Sequence, residues 1–520
     1  MILPTLLAIV NQGVITVTID TTKSTPISPY IYGVNSPEYA KLGFSVPLAR
    51  LGGNRMTAYN WETNASNAGN DYRFQNDNYM GSKDPAKANE PGWTERTFME
   101  DAQSHGAAAI LTVPTAGYVS ADKNEDGDVR KTPDHLAKRF VKSLPRKPGP
   151  FQYPPDLKDQ LVYQDEFVSW IEHKKSRRTP VWYMLDNEPD LWGSTHNEIW
   201  EKNPTYAQII SNNIEYASAI KRVAPHALVF GPANYGWNGF RTFQNAPDGK
   251  GRDFLDVYLN GLAKAGRETR LLDVLDVHWY PEAQGGGRRI TETGNAETAA
   301  ARIQAPRSLW DPTYVEDSWI SKSIGKTPIR LLPSLFKQIA DKYPGTKLSL
   351  SEYNFGGNND ISGAIAQADV LGIFGRYGLF AACNWGINPK DKAEVAGFRA
   401  FRNYDSQGAV FNDQSLPVSG VPADRASVYA SHGKDLDLDP QITIVAINKT
   451  DRPMPMRFAL DRLVPIGARA YTFTQENFAT NARMSLPKKT EHGVEINLPA
   501  KSVTTLRIPT ESRVRYLVAK

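Results

Sequence analysis

At 520 residues the chain is longer than one ordinary domain, which points to two or three. A content of 40% hydrophobic and 22% charged residues supports a large core, and 60 Lys and Arg against 56 Asp and Glu leave a net charge of only +4. No basic block stands out, which argues against a nucleic-acid partner, and the single cysteine, Cys383, excludes an internal disulfide. The start, Met1 to Val10, is apolar but lacks Lys and Arg and is too short to span a bilayer. It reads as the stump of a secretion signal or as a first strand; no other membrane segment is legible.

From Val14 to Asp20 the residues Ile15, Val17 and Ile19 alternate with Thr16 and Thr18, the period of a half-buried strand. Eight apolar strand candidates follow, spaced by helical or loop-rich stretches: Tyr30 to Asn35, Leu48 to Gly53, Ala108 to Val113, Val181 to Asn187, Ala227 to Gly231, Val274 to Trp279, Lys347 to Glu352, and Phe380 to Trp385. Near-continuous apolar runs suit strands covered on both faces, and eight of them interleaved with helices is the count of a (β/α)8 barrel. Helical faces are legible in Tyr163, Phe167, Trp170 and Ile171, in Tyr206, Ile210, Ile214 and Ala217, and in Leu332, Leu335, Phe336 and Ile339, with Pro204 and Pro333 suited to first turns. The inserts after the second and sixth strands are long and rich in Gly, Asn and Pro, as binding loops often are. Beyond Arg402 the pattern turns to short alternating strands, from Ser427 to Ala430 through Val514 to Val518, with no helical period. We expect an antiparallel β-sandwich joined by the N-terminal strand, dividing the chain into 1–28 (sandwich strand), 29–402 (catalytic barrel) and 403–520 (sandwich).

Chemistry is concentrated at two strand ends. The run VWYMLDNEPDLW, Val181 to Trp192, passes from a buried strand into Asp186, Asn187 and Glu188, and LSLSEY ends the seventh strand in Glu352. Taken alone, Glu188 is either a proton donor or a residue that ends a strand and caps the next helix. Strands four and seven of a closed barrel face each other across its C-terminal mouth, where catalytic groups sit. Two carboxylates facing across a cleft are what glycosidic cleavage requires, provided their surroundings hold one protonated and the other ionised.

The motifs carry a resemblance. Asn187-Glu188-Pro189 and Ser351-Glu352-Tyr353 resemble the acid/base and nucleophile motifs of the retaining glycosidases built on (β/α)8 barrels. LARLGGNRMTAYNWETN around Asn54, DNEPDLW, DVHWYPE at Asp276 to Glu282, LSLSEYNFGG and the split sandwich together resemble glycoside hydrolase family 44 over nearly the whole chain. The resemblance implies an endo-acting β-1,4-glucanase, active on xyloglucan and mixed glucans with retention, with Glu188 as acid/base and Glu352 as nucleophile. It further implies that Asn187 bonds the sugar 2-OH, that Tyr280 holds the nucleophile, that His278 lines the site and that Trp385 lies under the sugar beside the cleavage point. His278 alone reads more often as a satisfied core histidine, and its neighbours turn the reading toward the site; Arg50 and Asn54 on strand two are open between substrate contact and, for Arg50, a structural ion pair. Trp61, Tyr118, Trp192, Trp237 and Tyr353 are sugar platforms or loop packing. A mannanase or xylanase of the same clan, or a silent glycan-binding protein, would share many of these features.

The stretch Asp122 to Asp128, DKNEDGD, has the alternating oxygen ligands of a calcium loop in Asp122, Asn124 and Asp126, with Asp128 beside them, but the twelfth position is Pro133 rather than a bidentate Glu. It is a structural calcium site or a solvated acidic turn. No organic cofactor is expected. We expect a secreted monomer acting on β-glucan, with neither a membrane nor a nucleic acid as partner.

Overall fold

The computed structural model describes residues 13–433 and 441–512; Met1 to Val10 and the expected strand Val514 to Val518 lie outside them. Eight parallel strands, Gly33–Asn35, Leu48–Leu51, Ala108–Val113, Val181–Leu185, Val229–Asn234, Val274–Trp279, Lys347–Tyr353 and Ala381–Asn384, close into a barrel in chain order, the last pairing with the first. In the fourth strand every side chain is buried. Trp182 and Met184 turn inward to meet Leu48, Ile110 and Phe230, while Val181, Tyr183 and Leu185 join the shell beneath the helices. This two-sided burial is why the strand shows no polar alternation. The first strand is shorter than its apolar run: Pro29–Tyr32 forms a 3-10 turn with Pro29 at its start and the Ser28 hydroxyl accepting from the Tyr30 amide.

Helices cover Gln164–Lys174, Tyr206–Val223 and Leu331–Lys342. Thr205 caps the second in a reciprocal pair with Gln208, so Pro204 precedes the cap rather than occupying the first turn, whereas Pro333 is inside the first turn of the third. Among the described residues no helix is long and apolar enough to cross a membrane.

The second layer is built from both ends of the chain. Ile15–Ile19 lies in a five-stranded sheet between Val418–Ser419 and Met454–Leu460, antiparallel to the former but parallel to the latter. It faces an eight-stranded sheet whose central strands are Ala426–His432, Gln441–Asn448 and Ser502–Ser512. Ile442, Ile444 and Ala446 point into the sandwich core, and Val445 and Ile447 point the other way, into the barrel's core. Helix Ile361–Tyr377 fills that contact and is buried on every side from Ile361 to Gly375, mostly through apolar residues. A buried ion pair, Lys449 Nζ to Asp369 Oδ2 at 2.8 Å, joins the sandwich to this helix.

Candidate active site

The barrel's inward stripe changes character toward the C-terminal mouth. On strand two it runs from Leu48 to Arg50, a guanidinium with no exposed surface. Arg50 Nη1 donates to Glu352 Oε1 at 2.6 Å and to Asn35 Oδ1 at 3.1 Å, and Nη2 donates to Asn187 Oδ1 at 2.7 Å. One side chain thus aligns the ends of strands four and seven. The Asn187 oxygen also accepts from the Gly53 amide at 3.2 Å, which leaves its amide nitrogen for the cleft. Ser351, beside Glu352, is braced by Asp276, whose carboxylate accepts from the Ser351 hydroxyl at 2.6 Å and from its amide at 3.1 Å.

The strand ends are irregular where the site forms. Register shifts interrupt the pairing of strands five to eight near Ala233, Val277 and Ser351, and such bulges re-aim side chains. Asp186 and Glu188 both adopt left-handed backbone, with φ of 61° and 45°, a conformation unfavourable for residues with a Cβ. Asp186 is held there by the Thr57 hydroxyl at 2.6 Å and by the amides of Thr115 and Asn187; the Glu188 amide bonds the Ala233 carbonyl at 3.0 Å.

A carboxylate oxygen of Glu188, one of Glu352 and a ring nitrogen of His278 all lie within 4.8 Å of one another. His278 Nδ1 is 2.7 Å from Glu188 Oε1 and 3.5 Å from Glu352 Oε2. Tyr280 Oη donates to Glu352 Oε2 at 2.7 Å. The two acids sit in opposed fields. Burial raises Glu188 well above the ordinary carboxylate range, and the negative charges of Glu352 and Asp190 push the same way. Burial also acts against the charge on Glu352, but the His278 ring, the Arg50 cation and the hydrogen bonds from Arg50 and Tyr280 outweigh it and leave this acid lowered. Burial lowers His278 itself, against the pull of the Glu352 and Asp276 charges on its proton, and its Nδ1 shares a hydrogen bond with Glu188.

Around this pair runs a cleft of ≈ 350 Å³ lined by Asn54, Asn187, Glu188, Tyr280, Glu352 and Trp385. It opens on the Trp385 side into a groove of ≈ 620 Å³ that reaches Tyr72 and Tyr79, and on the Tyr280 side into a smaller hollow flanked by Trp237 and Trp319. Asn54 donates to Asp71 at 2.9 Å, and its carbonyl faces His196 Nε2 at 2.8 Å. Three of the aromatic candidates are core residues instead. Trp61 is 1% exposed and packs on Phe167 and Trp170; Tyr353 is fully buried, its hydroxyl bonded to Gln367; Trp192 is 1% exposed and braces the site from behind, its indole N–H on the Asn187 carbonyl at 3.3 Å. Tyr118 is part of a small outer sheet, away from the cleft. Tyr235, Asp71 and Arg289 also line the cleft; a loop, a one-turn 3-10 helix and a short hairpin hold them, and none of these carries a periodic signal in the sequence.

The acidic loop does not fit a calcium ion. Arg139 takes Asp122 at 2.7 and 2.9 Å and Asp126 at 2.8 Å, Arg130 takes Asp128 at 2.8 Å, and the Asn124 amide turns back onto Asp122. Guanidinium groups thus neutralise the carboxylates that an ion would need, and the expected site at Asp122, Asn124, Asp126 and Asp128 is corrected to an arginine-closed turn. Among the described residues, Glu188, His278 and Glu352 form the one group of three such side chains close enough to share a cation, and Arg50 already places a positive charge against Glu352.

Similarity to known proteins agrees with this geometry. Residues 65–283 match the model of glycoside hydrolase family 44. A family 44 endoglucanase from Clostridium thermocellum superposes with a TM-score of 0.88 at 38% identity, covering 95% of this chain and 99% of that one. A family 44 xyloglucanase from Paenibacillus polymyxa, solved with xyloglucan, gives 0.90 at 36% identity, covering 96% and 100%. Endoglucanase A of Paenibacillus lautus is 40% identical over 476 residues, 88% of this chain. The chain spans 66% of that relative's length and 34% of the length of a Caldicellulosiruptor saccharolyticus β-mannanase/endoglucanase. With two carboxylates converging at the mouth of a (β/α)8 barrel and this likeness over nearly its whole length, the chain belongs to glycoside hydrolase family 44.

Proposed function

We propose that the chain is an endo-acting hydrolase that cleaves β-1,4-glucan backbones with retention of configuration at the anomeric carbon. The observation that carries this reading is the approach of the two carboxylates, with oxygens within 4.8 Å of each other. Retaining glycosidases hold theirs about 5–5.5 Å apart, whereas inverting enzymes need roughly 6.5–9.5 Å to admit a water molecule. A groove open at both ends of the carboxylate pair accepts a chain in its middle, which is the requirement for endo attack.

Glu188, kept protonated by burial and by the charge of Glu352, donates its proton to the glycosidic oxygen as that bond breaks. Glu352, kept ionised by Arg50 and Tyr280, attacks the anomeric carbon and forms a glycosyl ester. Ester formation removes the negative charge that raised Glu188, so its carboxylate becomes a competent base for the water that cleaves the ester. The free amide nitrogen of Asn187 bonds the sugar 2-OH as charge develops at the neighbouring carbon. Side chains alone supply both steps, and a polymer of this kind is met outside the cell.

Reducing-end release from carboxymethylcellulose, xyloglucan, glucomannan and xylan by the parent chain, Glu188→Gln and Glu352→Gln tests the proposal. We expect the glucans to be cut by the parent alone, with products that first appear as the β-anomer. Preferential cutting of xylan or mannan, first appearance of the α-anomer, or near-parental activity of either variant would overturn it.

A further inference from the structure

A regular seventh strand would aim its acid away from the barrel mouth. Leu348 and Leu350 are part of the core beneath the helices, so the two-residue period of a strand would send Glu352 to that side as well. Tyr353 is there instead, its ring against Phe374 and its hydroxyl accepting from Gln367, both on helix Ile361–Tyr377. The alternation changes because strand seven carries one residue more than either neighbour. Asp276 and His278 of strand six pair with Ser349 and Glu352, and Ala382 and Asn384 of strand eight pair with Leu350 and Tyr353. Ser351 has no register partner on either strand, and a bulge of this kind re-aims the side chains beside it. Ser351 and Glu352 both face inward as a result, the Ser351 hydroxyl 3.8 Å from the Met184 sulfur and Glu352 on Arg50.

A bulged peptide inside a barrel costs free energy unless side chains satisfy it. Two side chains do so. Asp276 Oδ1 accepts from the Ser351 amide at 3.1 Å and Oδ2 from the Ser351 hydroxyl at 2.6 Å, while Asn35 Nδ2 donates to the Ser351 carbonyl at 2.9 Å. Neither Asp276 nor Ser351 has exposed surface, and Asn35 is itself held by Arg50 at 3.1 Å. Asp276 stands opposite Ser349, at the last paired position before the shift, so its carboxyl spans the gap that the extra residue opens.

We propose that Asp276 is a positioning residue for the nucleophile: its carboxyl clamps the Ser351 bulge, and the clamped bulge turns Glu352 out of the helix shell and into the mouth. The inference rests on the glucanase reading above, in which Glu352 attacks the anomeric carbon. Asp276 is not among the residues that line the cleft, so it acts through Ser351 and not on the sugar. A reacting group displaced by about 1 Å loses on the order of 10²-fold in rate, which sets the size of effect expected.

The test is covalent trapping of Glu352 by a 2-deoxy-2-fluoro-β-cellobioside with a good leaving group, in the parent, Asp276→Ala, Asp276→Asn and Ser351→Ala. Intact-mass measurement over time gives two quantities: the trapped fraction, which counts folded sites, and the rate constant at saturating reagent, which reports the aim of Glu352. For Asp276→Ala we expect a near-parental fraction trapped about 10²-fold more slowly. Asp276→Asn keeps the shape, an acceptor for the amide and a partner for the hydroxyl, and should recover most of that rate. Ser351→Ala loses the hydroxyl bond but keeps the amide bond, so its rate should fall about three- to tenfold. A parental rate in Asp276→Ala, with or without a smaller trapped fraction, overturns the clamp; an Asn variant as slow as the Ala variant overturns it in favour of the charge. An Asp276→Ala chain that does not fold leaves Ser351→Ala to decide, a slower rate supporting the clamp and a parental rate overturning it. A crystal structure of either alanine variant needs no turnover and keeps the two readings apart. Glu352 displaced from Arg50 and Tyr280 supports the clamp and an undisplaced Glu352 refutes it, whereas a parent chain that is never trapped refutes the glucanase reading.

Discussion

The two sides of the barrel mouth bury a glutamate almost equally, Glu188 at 8% exposure and Glu352 at 4%, yet they prepare it for opposite tasks. On the strand-four side burial and two other acids oppose the charged form of Glu188, and Arg50, whose positive charge favours it, donates no hydrogen bond to it. On the strand-seven side a guanidinium and a phenol converge on Glu352 within 2.7 Å. Burial penalises both anions; what separates them is whether hydrogen-bond donors and a positive charge are supplied. The difference originates in strand two, because Arg50 crosses the barrel to strand seven and reaches only the amide of Asn187 on strand four.

Removing either member of the pair should break this arrangement most severely. Glu352→Gln is expected to lower kcat by roughly 10⁴ or more, and Glu188→Gln by about 10²–10⁴, with the smaller loss for aryl glycosides whose leaving groups need little protonation. Initial-rate assays on both substrate types check this. The next largest effect tests the strand-seven side alone. Tyr280→Phe deletes one donor to Glu352, a hydrogen bond to a charged group worth about 1.5–3 kcal/mol, so kcat/KM should fall roughly 10- to 100-fold. The sign of the pH effect follows from which form the donor favoured: without it Glu352 binds its proton more readily, and the acid limb of the pH–rate profile moves to higher pH. The alkaline limb, set by loss of the Glu188 proton, should lie above the ordinary carboxylate range in the parent. A parental acid limb in Tyr280→Phe would show that the phenol does not tune Glu352.

The smallest expected effect uses a third buried acid as a reference for what burial does without such partners. Glu394, in the helix after strand eight, is 1% exposed, and neither carboxylate oxygen has a hydrogen-bond partner. Burial, with Asp391 adding to it and Arg302 opposing, pushes it up to about 8. The unfolded chain releases this proton near the usual glutamate value while the folded chain keeps it to about pH 8, so folding stability declines as pH rises through that window. The slope is about 1.4 kcal/mol per pH unit from this group. Glu394→Gln should flatten the decline between about pH 5 and pH 8 and leave activity at pH 6 unchanged; melting curves across that range measure it. An unaltered slope would mean that Glu394 is better solvated than its surroundings suggest.

The barrel was legible because strands buried on both faces must be apolar throughout, and the eight runs stand out whatever the length of the segments between them. The position of the acid pair was legible for the same reason: once strands are counted, Glu188 and Glu352 follow at ends four and seven. Tyr280 could be placed opposite Glu352 through the resemblance, but the bridge from Arg50 to Asn187 could not, since it depends on how far a side chain reaches across a closed sheet. The aromatic residues were the least legible. Trp61, Trp192 and Tyr353 offer the same rings as Trp237 and Tyr79, and only packing decides which of them meet solvent. The acidic turn misled similarly, because Arg139, the partner that closes it, stands more than ten residues downstream.

By itself the sequence determined the alternation of strands and helices, the two-ended sandwich and the two acids at the mouth, because each follows from local hydrophobic period and from the order of elements along the chain. The tertiary structure alone decided which acid is held protonated, which aromatic rings line the groove and whether the Asp122–Asp128 turn has room for an ion. Those properties depend on distances between side chains far apart in the chain, and hydrophobic periodicity carries no information about them.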